Sequence, residues 1–201
     1  MSNEFPHVSI GAIKAKLDNV LKQIETENFV PFFESMKDCY SDGLYSRAKP
    51  ALRVQRISKI EDLEKIPNQR GFYLIFTDYK LGFGERNKCK AVISGHPDAK
   101  AIYRGESYNV RTRLESHLFH NTYHKKLKSA SNRSDRYTVC LKIDGEHVNL
   151  DEPLEMSKAK WYVAYHGFPK SNRVIREIAE KAFDEVFNKP LFSRDKSTPA
   201  S

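Results

Sequence analysis

The stretch Gly71-Phe72-Tyr73-Leu74-Ile75-Phe76-Thr77-Asp78-Tyr79 decides the fold. Phe72, Leu74 and Phe76 alternate with Tyr73, Ile75 and Thr77, and both sets are mostly apolar. Such a segment reads as a strand buried on both faces. A second, short strand follows at residues 101–107, Ala-Ile-Tyr-Arg-Gly-Glu-Ser. Residues 108–119 read as a helix with Val110, Leu114 and Leu118 on one face. Between the two strands, residues 80–99 carry Gly82, Gly84, Gly95 and Pro97 among many charges, and read as a long loop or a hairpin insertion. Downstream, 137–143 and 160–168 read as a third and a fourth strand, 144–157 as an acidic, loop-like stretch, and 174–187 as the strongest helix of the chain. The plan from Gly71 onward is β-β-α-β-β-α. It predicts an α+β fold, with a small, mostly antiparallel central sheet flanked by helices.

Working upstream, residues 9–25 read as an amphipathic helix, with Ile10, Ile13, Leu17, Val20, Leu21 and Ile24 at helical spacing. Residues 28–38 predict a shorter helix with Pro31 in its early turn. Residues 41–56 look irregular and basic, and 58–66 predict a short helix with Ser58 as its N-cap. The expected organisation is a helical N-terminal arm over 1–70, one domain over 71–193 with an insertion at about 78–100, and a flexible tail over 194–201.

Thirty-four Lys and Arg against 26 Asp and Glu leave a net charge of +8. That balance suits a phosphate-rich partner or a merely basic protein. No run approaches the ~18 apolar residues of a membrane span, so no membrane partner is expected. The start, MSNEFPHVSI, lacks the basic and apolar regions of a secretory signal, and a cytoplasmic location is expected. Cys39, Cys89 and Cys140 are odd in number and widely separated. They make neither a disulfide framework nor a zinc spacing, so reduced thiols are expected.

Three separated pieces carry the chemistry. Gly71-Phe72-Tyr73 heads the first strand. Tyr103-Arg104-Gly105 sits in the second and leads into Asn109-Val110-Arg111-Thr112-Arg113-Leu114. Glu180 lies in the last helix, followed by Asn188-Lys189-Pro190-Leu191-Phe192-Ser193. In that order and spacing the sequence resembles the GIY-YIG nuclease superfamily, with GFY standing for GIY and YRG for YIG. The family's arginine, ten residues after the second tyrosine, falls on Arg113, and the His or Tyr one helical turn later on His117. Its metal-binding glutamate, on a helix before a Lys-Pro ending, falls on Glu180. The resemblance covers 71–193 and leaves 1–70 outside.

The resemblance implies a metal-dependent DNA endonuclease with Tyr73, Tyr103, Arg113, His117 and Glu180 as catalytic residues. Arg113 and His117 are i and i+4 on one helix and share a face. Arg113 offers a permanent positive fork to a phosphate oxygen. His117 can orient the attacking water or donate to phosphate. Glu180 can hold Mg²⁺, or Mn²⁺, with several waters. It flanks the apolar face made by Ile175, Ala179, Ala182, Phe183 and Val186, whereas Glu177 points further out. By resemblance the Tyr73 hydroxyl stands near the attacking water as its base. A tyrosine of pKa about 10 needs a nearby cation for that role. Gly105 lets the backbone pass close to the substrate.

The sequence also departs from the family. Arg104 replaces an aliphatic residue and is expected to point away from Tyr103, to DNA or to Glu106. Glu106 stands where Lys or Ser is common. Ser193 replaces an Asn, which puts a supporting hydrogen bond in doubt. The basic stretch with Lys125, Lys126, Lys128, Arg133 and Arg136, together with Arg104, forms the expected DNA contacts; Arg86, Lys88 and Lys90 in the insertion are further ones. His117, His120 and His124 sit at helical spacing as a metal cluster does, but no Cys or carboxylate accompanies them in sequence, which disfavours a structural zinc. The short chain resembles the family's restriction endonucleases, so sequence-specific cleavage of duplex DNA, within a restriction system and as a homodimer on a palindrome, is the expected function. A degenerate nucleic-acid-binding protein on the same fold is the alternative, and a single-strand or structure-specific nuclease is another. The N-terminal arm is expected to wrap DNA or a second subunit.

Overall fold

The computed structural model describes residues 9–47, 51–79, 87–129 and 140–194. The sheet is organised on β3 (Gly71–Thr77), whose seven residues are all buried. β3 pairs antiparallel with β5 (His96–Ser107) on one side and with β8 (Trp161–Gly167) on the other. β2 (Ala51–Ile57) extends the sheet beyond β8, with the two-residue β1 (Tyr45–Ser46) outside it. The two-residue β4 (Val92–Ile93) pairs with the start of β5. The order is β1-β2-β8-β3-β5-β4, every pair antiparallel, so the fold is α+β as the sequence predicts.

Alternation along β3 sorts its side chains onto two cores. Phe72, Leu74 and Phe76 pack with Tyr162 and Ala164 against α2 (Val30–Glu34) and α6 (Arg173–Phe187), where Phe33, Ala179 and Phe183 meet them. Tyr73 and Ile75 face the other way. They pack with Val163 against α3 (Val110–Leu118), through Val110, Leu114 and Leu118. Each such fully buried side chain contributes about 1.5–3 kcal/mol. Gly71 is required where β3 meets β8: a Cβ there would lie 2.4 Å from the His166 carbonyl oxygen.

Several local expectations are corrected. Residues 51–57 are a full strand of the central sheet, so the segment before Gly71 is more than a helical arm. Its alternation, Leu52, Val54 and Ile57 buried with Arg53 and Gln55 less so, is visible in the sequence but masked by the charges. Residues 137–139 of the expected third strand lie outside the described residues. The part that follows joins no central strand: β6 (Lys142–Ile143) pairs only with β7 (Glu146–His147). Residues 155–158 form a short helix, α5 (Glu155–Lys158), inside the expected acidic loop. The helix after Ile57 is a 3₁₀ stretch, Ile60–Lys65, and its cap is the Asp62 carboxylate. That group accepts from the backbone N–H groups of Ser58 and Lys59, so the Ser58 side chain is not the N-cap. Of the insertion, residues 80–86 lie outside the described residues and the rest forms the β4–β5 hairpin.

Helix α1 (Ile10–Ile24) starts at an N-cap Ser9, whose hydroxyl accepts from the Ala12 N–H. None of its residues is buried, and Ile10 is 85% exposed. The apolar stripe read from the sequence therefore faces out over most of the helix. Only its last turns approach α6, where Lys22 pairs with Glu185 at 3.7 Å. No helix among the described residues is long and apolar enough to cross a membrane.

Candidate active site

The antiparallel register sets Gly105 of β5 directly opposite Tyr73 of β3. Period-2 alternation then turns Tyr73, Tyr103 and Gly105 to the α3 face and Arg104 and Glu106 to the α6 face. A Cβ on Gly105 would lie 2.5 Å from Tyr73 Oη, 2.7 Å from its Cζ and 3.0 Å from Tyr103 Cε1. Gly105 is thus needed to seat the two tyrosines, a role more local than closeness to substrate. Their rings lie near-parallel across it, with centroids 6.1 Å apart.

Helix α3 supplies the partners. Its start is anchored to the preceding loop: Val110 N–H donates to the Gln69 carbonyl at 3.2 Å, and the Arg111 guanidinium donates to the carbonyls of Ile66 and Glu64 at 2.7 and 2.9 Å. That anchoring fixes the rotation of the helix and turns Arg113 and His117 inward. The charge of Arg113 acts on both Tyr73 and Tyr103. His117 is fully buried and lies 2.9 Å from Tyr73 Oη through Nε2. Its Nδ1 accepts from the Leu141 N–H at 2.8 Å. Because Nδ1 is an acceptor, the proton of the neutral ring sits on Nε2, and His117 donates to Tyr73 Oη. Burial first, and the Arg113 charge second, hold His117 well below the usual histidine range, so it stays neutral at pH 7.

The Nε2–H of His117 and the charge of Arg113 therefore bear on one phenol oxygen. Arg113 pulls the Tyr73 pKa down, but burial outweighs it, and Tyr73 stands well above the ordinary tyrosine value. In the resting site Tyr73 is a protonated phenol. Tyr103 is partly exposed and lines a cleft of 210 Å³ with Lys142, Phe192, Ser193 and Arg194. Two cations flanking an aromatic wall suit a phosphate diester.

On α6, Glu180 is 7% exposed, and its charge acts on Tyr73. Glu177 turns outward and pairs with Arg173 at 2.7 Å, as the helical angle predicts. Arg104 is a correction. It is 4% exposed and no surface phosphate contact. Its guanidinium grips Asp184 with two bonds of 3.0 and 2.6 Å and reaches Glu180 Oε2 at 3.3 Å. Glu106 pairs with the fully buried Arg176 at 2.7 Å. Both ion pairs link β5 to α6, and sequence reasoning missed Asp184 and Arg176. Ser193 does support the site: its hydroxyl accepts from the Arg104 N–H at 2.8 Å. Phe192 N–H donates to the Ile102 carbonyl at 3.0 Å, so the segment after α6 covers this edge of β5.

Of the remaining expected DNA contacts, Lys125, Lys126 and Lys128 are exposed on α4 (His120–Ser129). Lys126 pairs with Glu115 at 2.6 Å. Arg133, Arg136 and Arg86 lie outside the described residues. Glu180 fits a hard cation: it is a mostly buried carboxylate whose charge reaches Tyr73, and magnesium takes one or two carboxylates and keeps its waters for phosphate. The chain matches no protein-family model, no curated protein and no solved structure.

Proposed function

We propose that the chain is a GIY-YIG-type, metal-dependent endonuclease that hydrolyses phosphodiester bonds in duplex DNA, in the manner of a restriction enzyme. The observation that carries this reading is the hydrogen bond from the Nε2–H of His117 to Tyr73 Oη, beside the Tyr103 ring and within the field of Arg113 and Glu180. The Nε2–H of His117 and the charge of Arg113 favour negative charge on the phenol oxygen, the form in which a tyrosine acts as base. Arg113, whose charge also acts on Tyr103 at the cleft wall, offers that charge to the scissile phosphate. Lys142 and Arg194 hold the flanking backbone, and α4 presents Lys125 and Lys128 to it. Magnesium, or manganese, held by Glu180 supplies charge neutralisation at the phosphate when bound. Arg104, clamped by Asp184, holds Glu180 in position.

The test is digestion of a long unmethylated duplex with Mg²⁺, wild type beside Glu180→Gln. Discrete fragments from the wild type alone support the reading, and a smear keeps the nuclease but removes sequence specificity. A second reading, a binding protein without cleavage, is favoured by the Arg104–Glu180 contact and the raised Tyr73 pKa. Tight duplex binding with no cleavage under any divalent cation identifies it.

A further inference from the structure

His120, Cys140 and His147 come from three separate places in the fold. His120 opens α4, Cys140 lies just before β6, and His147 ends β7. Their ligand atoms, one ring nitrogen from each histidine and Cys140 Sγ, all lie within 4.8 Å of one another. The His120 and His147 rings are stacked, with centroids 3.5 Å and planes 5° apart. Nδ1 of each is buried and has no hydrogen-bond partner among the described residues. His124, one helical turn after His120, stands against it with ring centroids 4.2 Å apart.

Two buried nitrogens without partners are unfavourable, and stacking two imidazoles does not satisfy them. A cation held by one ring nitrogen of each histidine and by the thiolate gives this buried group a shared partner.

We propose that His120, Cys140 and His147 bind a zinc ion that staples α4 to the β6–β7 hairpin, with His124 or a water at the fourth position. Two imidazoles and a thiolate are borderline-to-soft ligands, which select zinc over magnesium. The site is therefore distinct from the oxygen site at Glu180. Tetrahedral zinc, with bonds of about 2.0 Å to nitrogen and 2.3 Å to sulfur, sets its ligand atoms roughly 3.3–3.6 Å apart. Closing from within 4.8 Å requires the two stacked rings to turn so that their in-plane lone pairs converge on the ion. His117 is excluded as a ligand, since Tyr73 and Leu141 use both its nitrogens. The His120-x₃-His124 pair matches the short histidine spacing of zinc sites, while Cys140 and His147 arrive only through the fold.

The experiment uses the full chain without a histidine tag. Elemental analysis of the purified protein is expected to find close to one zinc per chain. Cobalt(II) added to stripped protein is expected to give tetrahedral visible bands and a near-ultraviolet thiolate-to-cobalt absorption. Cys140→Ser removes the thiolate band, and His147→Gln weakens cobalt binding at least ~100-fold, since losing even an outer-shell partner costs 10–100-fold. Cys39→Ser, at an exposed thiol that is not part of the cluster, leaves both unchanged. As a check that needs no variant to fold, zinc is expected to slow alkylation of Cys140 in the wild type, read by mass spectrometry. Absence of cobalt binding at micromolar metal overturns the proposal. So does a thiolate band that survives Cys140→Ser, or alkylation of Cys140 indifferent to zinc.

Discussion

Gly105→Ala tests whether the tyrosine pair is built as described. The added Cβ would sit 2.5 Å from Tyr73 Oη, where ordinary contact begins near 3.4 Å. The hydroxyl must retreat by about 0.9 Å, and the ring has nowhere easy to go because Tyr73 is completely buried. A shift of that size breaks or compresses the 2.9 Å bond to His117. Misplacement by about 1 Å costs roughly 10²-fold in rate. Overpacking of a tight core costs about 1–3 kcal/mol, which at this chain length lowers Tm by about 2–4 °C per kcal/mol. The assay is single-turnover duplex cleavage beside a thermal melt. The double variant Gly105→Ala, Tyr73→Phe isolates the contact. Phenylalanine lacks Oη, which removes the 2.5 Å clash and leaves Cζ at 2.7 Å. The two stability losses are therefore expected to add to less than their sum. Strict additivity, or a Gly105→Ala protein with the wild-type rate and Tm, would refute the register and the role of Gly105.

Three further outcomes are expected. His117 and His166 are buried and neutral in the folded protein, His166 at about 3 by desolvation and His117 well below its usual value. The unfolded chain takes up protons on both below about pH 6.5, so each lowers stability by about 1.4 kcal/mol per pH unit as pH falls from there. Urea unfolding at pH 7, 6 and 5 reads the slope, and a flat profile contradicts it. Arg104→Leu leaves the Asp184 and Glu180 carboxylates in a mostly buried site without their shared cation, and is expected to cost about 3–5 kcal/mol by chemical unfolding; a loss below about 1 kcal/mol speaks against a structural role. Lys125→Gln and Lys128→Gln are each expected to weaken duplex binding uniformly across sequences and to reduce the salt slope by about one unit; unchanged slopes would remove α4 from the DNA interface.

What the sequence disclosed tracks how local each signal is. The alternation of 71–77 and the helical periods of 10–24, 110–118 and 173–187 act over one or two turns, and those elements stand where they were read. The Tyr73, Arg113 and His117 grouping was legible because three short motifs mark strands and a helix whose register then follows. Arg104 was misread because charge in a strand suggests solvent, while its partner Asp184 lies eighty residues away. β2 carries usable alternation in Leu52 and Val54, but Arg53 and Arg56 made the stretch look irregular, and nothing local says that it pairs with β8. The same distance hides the cluster at His120. Cys140 and His147 stand twenty and twenty-seven residues further on, and no short spacing links them.

The segment from Cys140 to Leu150 joins the two sites. Leu141 N–H fixes the tautomer of His117, and Leu141 is covalently next to Cys140. The Leu150 N–H donates to the Leu118 carbonyl at the end of α3, and Asn149 Oδ1 accepts from the Asn121 N–H in α4. This stretch is thus held from both sides by the helices that carry His117 and His120. If Leu141 drifted, the His117 proton could move to Nδ1, and Nε2 would then accept from Tyr73 instead of donating to it. The phenol proton would be committed to histidine, and the donor that stabilises a phenolate would be gone. A cation bound as proposed at His120, Cys140 and His147 would act where that drift begins, so the proposed structural metal and the proposed tyrosine base would require the same few residues to be rigid.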